Sequence, residues 1–323
     1  VYAHDGYQLS QEPASANVTI INTAPTVSVT QTSSVVRSSD TLRWEIETED
    51  VDLEALTVQV AWSKNQMRTE TTTLTLSQPG IAAASIAPEK LTRADIWLAQ
   101  ITVFDSEESV SVETSSVTIK SARPIVRSAR LGHSGAQPTT TSSITLTYEI
   151  EDKDADDRVT QTEIIWLIDG QPVGVFNETV LAPSFTRKHQ RVTARIRVTD
   201  AYDATSLSVE TPVLTIKNTL PILLSADVFP ADDPSNLNCQ NQACTQAQDF
   251  ECMYSTMFDA DGDSVTARYS WFERTGSPTS VNQLNDLMLP FQRISGQQAE
   301  RGKSLVCGVR PFDGESEGLE VYS

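Results

Sequence analysis

Three proline junctions set the frame for the whole chain. Asn22-Thr23-Ala24-Pro25, Ser121-Ala122-Arg123-Pro124 and Asn218-Thr219-Leu220-Pro221 stand 99 and 97 residues apart, the last two following β-branched runs at 117–119 and 213–216. Repetition at a fixed period means that one structural unit recurs along the sequence. At roughly 150 residues per domain, the length of 323 alone would suggest about two domains. The junctions predict three instead, at 22–120, 121–217 and 218–323. Each unit also repeats a tryptophan (Trp62, Trp166, Trp271) with an acidic cluster a short way upstream. The clusters are Glu49-Asp50-Val51-Asp52-Leu53-Glu54, Glu151-Asp152-Lys153-Asp154-Ala155-Asp156-Asp157 and Asp259-Ala260-Asp261-Gly262-Asp263. A second acidic turn closes each unit: Phe104-Asp105-Ser106-Glu107, Thr199-Asp200-Ala201-Tyr202-Asp203 and Phe312-Asp313-Gly314-Glu315. The same turn at Val1-Tyr2-Ala3-His4-Asp5-Gly6, followed by 16–21, reads as the last two strands of a preceding repeat, covering residues 1–21.

Within each unit the hydrophobic period is two. Leu42, Trp44 and Ile46 alternate with polar residues, as do Ile144, Leu146, Tyr148 and Ile150 one repeat later. Such alternation predicts half-buried strands. The next strand is expected over 56–62, 162–168 and 265–272, and Asp169-Gly170 is a two-residue hairpin signal. No segment shows a sustained helical stripe, although 282–289 is expected to form one short helical turn. About seven short strands per hundred residues, with frequent turn signals, predict an all-β chain of tandem immunoglobulin-like β-sandwich domains.

Charge narrows the partners. Forty-three acidic against twenty-four basic side chains leave a net −19, which repels phosphate backbones and anionic lipid and favours cations. Neither a transmembrane segment nor a signal peptide is expected: no run reaches about eighteen apolar residues, and residues 1–8 have no basic start or apolar stretch. Catalysis finds no support either. There is no G-x-S-x-G, HExxH or phosphate loop, and His4, His133 and His189 are scattered, with no paired acid or cysteine expected.

The Asn-Thr-x-Pro junction, Cys252, the Asp-x-Asp-Gly-Asp turn, Trp271 and Val306-Cys307-Gly308-Val309-Arg310-Pro311-Phe312-Asp313-Gly314 carry a resemblance. Together they resemble the tandem immunoglobulin-like repeats of very large bacterial cell-surface and secreted proteins, and the cadherin-like and PKD-type repeats found in them. The match is closer over the third unit than over the first two, which lack the cysteines. It implies a modular extracellular or cell-surface stalk, adhesin or fibre component. The four cysteines, at 239, 244, 252 and 307, have no zinc-type spacing and allow three disulfide pairings. In an immunoglobulin-like core the order Cys252, Trp271, Cys307 implies a Cys252–Cys307 bond, leaving Cys239 with Cys244 as a local clip.

Clustered carboxylates repel one another unless a cation neutralises them. Calcium takes six to eight oxygens, and in this fold the two acidic turns of a unit lie at one end, where the linker enters. The expected oxygen sets are Asp50, Asp52, Glu54 and Asp105 near Asn22; Asp152, Asp154, Asp156 and Asp200; and Asp259, Asp261, Asp263 and Asp313 near Asn218. The cadherin-like resemblance implies interdomain calcium stiffening these joints. An EF-hand is excluded, because Gly262 falls at the fourth loop position and Ser270 stands where a bidentate Glu belongs. The competing reading is solvated loops with Asp side chains capping their own turns.

The middle unit differs in charge, with 12 acids and 11 bases against 14 and 7 in the first and 15 and 6 in the third. Its Arg187, Lys188, Arg191, Arg195 and Arg197 form a candidate docking patch for an acidic unit of another copy or an anionic polysaccharide; the alternative is a solvated sheet face. Trp62, Trp166 and Trp271 are expected in the cores rather than on a sugar-binding platform. The expected function is therefore a non-enzymatic structural or adhesive array, with neighbouring repeats, other copies of itself or a cell-surface ligand as partners. The alternative is a carbohydrate-binding accessory array of a secreted enzyme.

Overall fold

The computed structural model describes the chain except for residues 10, 13–15, 155–157, 233–243 and 275–283. The chain is all-β, of immunoglobulin-like sandwich architecture, and its contacts divide it into two compact units. One holds residues 1–125, 150–161 and 198–206; the other holds 126–149, 162–197 and 207–323.

In the first unit, β1 (Thr26–Gln31), β2 (Leu42–Glu49) and β5 (Ile81–Ile86) form one antiparallel sheet in the order β1-β2-β5. The facing sheet runs β4 (Met67–Leu76), β3 (Leu56–Lys64), β6 (Ile96–Phe104) and β7 (Ser109–Glu113), with β8 (Val117–Thr118) also paired to β6. Alternation produces the core directly. Along β2, Leu42, Trp44, Ile46 and Thr48 are buried while Arg43, Glu45, Glu47 and Glu49 face out. Leu56, Val58, Val60 and Trp62 of β3 and Trp97, Ala99, Ile101 and Val103 of β6 meet them from the other sheet. Trp62 lies 5.1 Å from Trp44 and 6.5 Å from Trp97, ring centre to ring centre, in the tilted and edge-on arrangements that aromatic quadrupoles favour.

The remaining chain repeats these elements. The strands β9 (Ile125–His133), β10 (Ile144–Glu151) and β13 (Val180–Leu181) are ordered β13-β10-β9. A second sheet runs β12 (Gln171–Phe176), β11 (Val159–Ile168), β14 (Arg191–Asp200) and β15 (Val209–Glu210), with β16 (Leu214–Thr215) also on β14. Asp169 and Gly170 both have positive φ and join β11 to β12 as a two-residue hairpin, as the sequence predicts.

In the last repeat β17 (Ile222–Leu223) pairs with β20 (Met257–Phe258), and β18 (Ala226–Pro230), β19 (Asp249–Tyr254) and β23 (Arg293–Ser295) form a sheet ordered β18-β19-β23. The opposing sheet runs β22 (Leu284–Asp286), β21 (Thr266–Arg274), β24 (Ser304–Phe312) and β25 (Val321–Tyr322). Where one short helical turn is expected over 282–289, residues 284–286 form a strand, held by pairing to β21 at Phe272, Glu273 and Arg274; 282–283 lie outside the described residues. A segment too short to fix its own period is settled by its neighbour. Cys252 and Cys307 are bonded and buried beside Trp271. Cys244 is disulfide-bonded as well, while Cys239 lies outside the described residues.

All five tryptophans are buried. The once-per-repeat residues satisfy their indole N–H groups inside: Trp62 donates to Thr72 Oγ1 at 3.1 Å, Trp166 to the Glu178 carbonyl at 2.9 Å and Trp271 to the Phe291 carbonyl at 2.7 Å. They are unavailable for stacking on sugars.

Candidate functional site

The acidic turns follow one plan. At the end of β6, β14 and β24 an Asp accepts backbone N–H bonds from its own turn through Oδ1. Asp105 takes Glu107 and Glu108 at 2.7 and 2.6 Å, Asp313 takes Glu315 and Ser316 at 2.7 and 2.6 Å, and Asp200 takes Tyr202 and Ala204 at 2.7 and 2.8 Å. Asp5 does the same with Tyr7 and Gln8, both at 2.9 Å. Short polar side chains that bond two or three residues ahead build such turns without secondary structure.

The clusters before β3, β11 and β21 add two layers. In the first, Asp50 Oδ1 accepts the Asp52 N–H at 2.7 Å, Asp152 Oδ1 the Asp154 N–H at 3.0 Å and Asp259 Oδ1 the Asp261 N–H at 2.7 Å. In the second, the middle acid reaches the linker. Asp52 accepts from the Thr23 N–H, Asp154 from Ala122 and Asp261 from Thr219, each at 2.7 Å. Each is one residue past the first position of a proline junction. The linker is thereby clamped to the end of the repeat it enters.

The first junction residue completes the clamp. Asn22 Nδ2 donates to Asp105 Oδ2 at 2.9 Å and Asn218 Nδ2 to Asp313 Oδ2 at 2.7 Å. In the middle junction Ser121 takes that place and its hydroxyl turns to Asp154 at 3.3 Å instead. These bonds favour the ionised carboxylates. The Asn22 amide, with the N–H groups of Glu108 and Glu107, holds the Asp105 carboxyl below its ordinary value. Burial pushes the Asp313 carboxyl up, but the Ser316 N–H, the Asn218 amide and the Glu315 N–H outweigh it and hold it low.

Carboxylate oxygens remain inside without a hydrogen-bond partner among the described residues, among them Oδ2 of Asp50, Asp200 and Asp259, whose residues are 7, 1 and 8% exposed. Asn22 Oδ1 is buried and unpartnered in the same sense. Of the expected oxygen sets, only Asp259, Asp263 and Asp313 come together, with ligand atoms within 4.8 Å of one another. Asp261 is taken up by the linker, and Glu54 accepts the Ser106 hydroxyl at 2.6 Å. Asp50, Asp52 and Asp105, and likewise Asp152, Asp154 and Asp200, form no such group among the described residues, and Asp156 lies outside them.

Neighbouring repeats also touch at these ends. Lys153 Nζ donates to the Ser38 and Pro88 carbonyls, and Ser38 Oγ donates to Asp154 at 2.8 Å. The Arg93 guanidinium lies 3.6 Å from the centre of the Tyr202 ring. Further along, Lys188 Nζ donates to Asp263, to Asn218 Oδ1 at 3.2 Å and to Glu315 at 3.3 Å, which raises its pKa, Asp263 contributing most. His189 stands 3.0 Å from Glu315, so one histidine does face an acid that sequence distance concealed.

No protein-family model matches this sequence, and no curated protein is similar to it. Among solved structures the chain is similar to fibronectin(III)-like modules of Clostridium thermocellum CbhA, with 12% identity over 59% of this chain and 94% of that one and a TM-score of 0.27. It is similar to a 1.5-MDa bacterial ice-binding adhesin structure, with 10% identity, 94 and 97% coverage and a TM-score of 0.28. The chicken CNTN1 FN1-FN3 domains give 8% identity, 93 and 98% coverage and a TM-score of 0.24.

The middle-repeat arginines do not form an open basic field. Arg195 pairs with Glu210 at 3.2 Å and Arg197 with Glu163 at 2.8 Å, on one outward face of β14. Lys188 is committed to the acidic end already described, leaving Arg187 and Arg191 as the exposed remainder. Sequence reasoning missed the junction amides and the Lys188 contact. The signal lies in the polar first residue of each junction, a side chain that can donate to a carboxylate as well as mark the period.

Proposed function

We propose that this chain is a non-enzymatic structural or adhesive array, part of an extracellular bacterial surface protein, whose joints are stiffened by calcium. The observation that carries the reading is the recurrence of a buried, unpartnered carboxylate oxygen on Asp50, Asp200 and Asp259 at the linker end of successive repeats. A buried anionic oxygen without a donor is costly, and its repetition calls for a shared cation. The donor set is all oxygen, which suits calcium rather than a softer metal. In the last repeat Asp259, Asp263 and Asp313 would hold the ion; in the first two, Asp50 and Asp200 would provide the inner oxygens. The ion would supply charge neutralisation, and the linker clamps would supply orientation. Cadherin-like character belongs to the proposal only through this shared use of calcium at joints.

A disulfide-bonded last repeat fits an oxidising compartment. The carbohydrate-binding alternative is not favoured, because the tryptophans are in the cores.

Thermal melting of the chelated protein with added calcium tests the reading. A ligand at one hundred times its dissociation constant stabilises by about 2.7 kcal/mol per site, so millimolar calcium is expected to raise Tm by several degrees and chelator to reverse it. Asp259→Asn is expected to shrink the shift. An unchanged Tm overturns the calcium reading.

A further inference from the structure

We propose that Lys188 is a tethered counter-ion of the acidic end of the last repeat, competing with calcium for Asp263, so that it lowers the calcium affinity of this end and keeps it clamped when calcium is scarce. The inference rests on the calcium reading above and deepens it.

The ammonium is held as a bound ion is held. A lysine has three N–H donors and no acceptor, and three oxygens of the last repeat surround Nζ: Asp263 Oδ2, Asn218 Oδ1 at 3.2 Å and Glu315 Oε2 at 3.3 Å. Lys188 itself comes from the middle repeat, just before β14, and its side chain is only 23% exposed. His189 approaches Glu315 from the same corner, at 3.0 Å.

One of those oxygens belongs to a carboxylate of the expected metal set. Asp263 lies with Asp259 and Asp313 in the group whose ligand atoms fall within 4.8 Å of one another. A separate observation aims this group at a cation. Asp259 is 8% exposed, and its Oδ1 is taken by the N–H groups of Asp261 and Asp263 at 2.7 and 3.3 Å. Its Oδ2 is buried with no hydrogen-bond partner among the described residues. Asn218 joins the lysine to the metal set, since its Oδ1 accepts from Lys188 while its Nδ2 donates to Asp313 at 2.7 Å.

Two cations on these carboxylates weaken each other. Lys188 offsets one of the four negative charges of Asp259, Asp263, Asp313 and Glu315, and the calcium affinity of an oxygen site follows the charge count of its ligands. An ammonium bonded to a metal-ligating carboxylate is repelled by the divalent ion. Calcium therefore favours rotamers that swing the flexible four-carbon stem into water. When calcium leaves, the ammonium returns to the same oxygens, and the middle repeat keeps its hold on the last.

Calorimetric titration of calcium chloride into the chelator-treated full chain tests this, with Asp259→Asn marking the binding step that belongs to this end. Lys188→Met is expected to tighten that step at least about tenfold, whereas Lys188→Arg, which keeps the charge, should leave it weak. Without calcium, Lys188→Met should melt below wild type, and the gap should close in saturating calcium, where the lysine is already displaced. Labelling of the wild-type lysines with an amine-reactive ester, read by peptide mass, supplies a measurement that needs no variant to fold: calcium should raise the reactivity of Lys188 relative to Lys90. An affinity that Lys188→Met leaves unchanged, a melting gap of equal size with and without calcium, or a Lys188 reactivity that calcium does not alter overturns the inference while calcium binding stands. Calcium binding that Asp259→Asn does not diminish also overturns it, by placing the ion elsewhere. No calcium binding by any of these proteins overturns the calcium reading and this inference together.

Discussion

Asp52, Asp154 and Asp261 perform one task three times, accepting the backbone N–H of a linker residue at 2.7 Å. Asp261→Ala leaves the Thr219 N–H without its acceptor, and also loses the Thr140 hydroxyl. We expect a loss of about 1–3 kcal/mol, read by denaturant unfolding, and faster proteolysis of the linker at 218–221. A variant that matches wild type in both assays would show the clamp to be decorative. Acid offers a second test at this scale. Asp105 and Asp313 both have folded-state pKa values below the ordinary 3.8. Their contribution to stability is complete above the unfolded value and lost as pH falls through the folded one. Stability should therefore drop as pH goes below about 4, and Asn22→Ala should flatten that drop. The acids were legible in the sequence because they cluster. Their division of labour was not, since the same residue type caps its turn, holds the linker or points inward depending on backbone placement that no local pattern encodes.

The strands show how far pattern reading reaches. Regular alternation placed β2 and β10, and Asp169-Gly170 announced its hairpin. The equivalent turn in the first repeat is made by Asn65 and Gln66, at φ 51° and 70°. It went unannounced because Gln rarely takes that conformation and tertiary pairing imposes it. Packing at this scale makes firm demands. Trp271→Ala removes a fully buried indole and the bond to the Phe291 carbonyl, and should cost about 3–5 kcal/mol in denaturant unfolding. Reducing the Cys252–Cys307 bond, which spans 55 residues, should release about 4 kcal/mol of loop constraint. Unfolding with and without reductant measures it, and the loss should be confined to the last repeat. Gly318 admits no side chain, since an added Cβ would strike the Pro221 carbonyl in the junction. Gly318→Ala should displace that linker, seen as lost amide protection around 219–221.

At the scale of the whole molecule, the charge of −19 is unevenly spread, and its carboxylates gather where linkers enter. Repeats whose entering linkers are held by backbone clamps can be extended without redesigning a core. One further feature bears on how such a chain carries load. Where the first repeat ends, Lys120 lies parallel to Arg37, with Lys120 N–H donating to the Val36 carbonyl and Ser38 N–H to the Lys120 carbonyl, both at 2.9 Å. Lys217 and Thr139 repeat the parallel bridge. Pulling on the two ends of a repeat slides these segments past each other, so the bonds are sheared as a group instead of unzipped singly. Loading in shear should make the patch a mechanical fuse: a repeat is expected to stay folded under steady tension and then yield abruptly, as a sawtooth in single-molecule stretching.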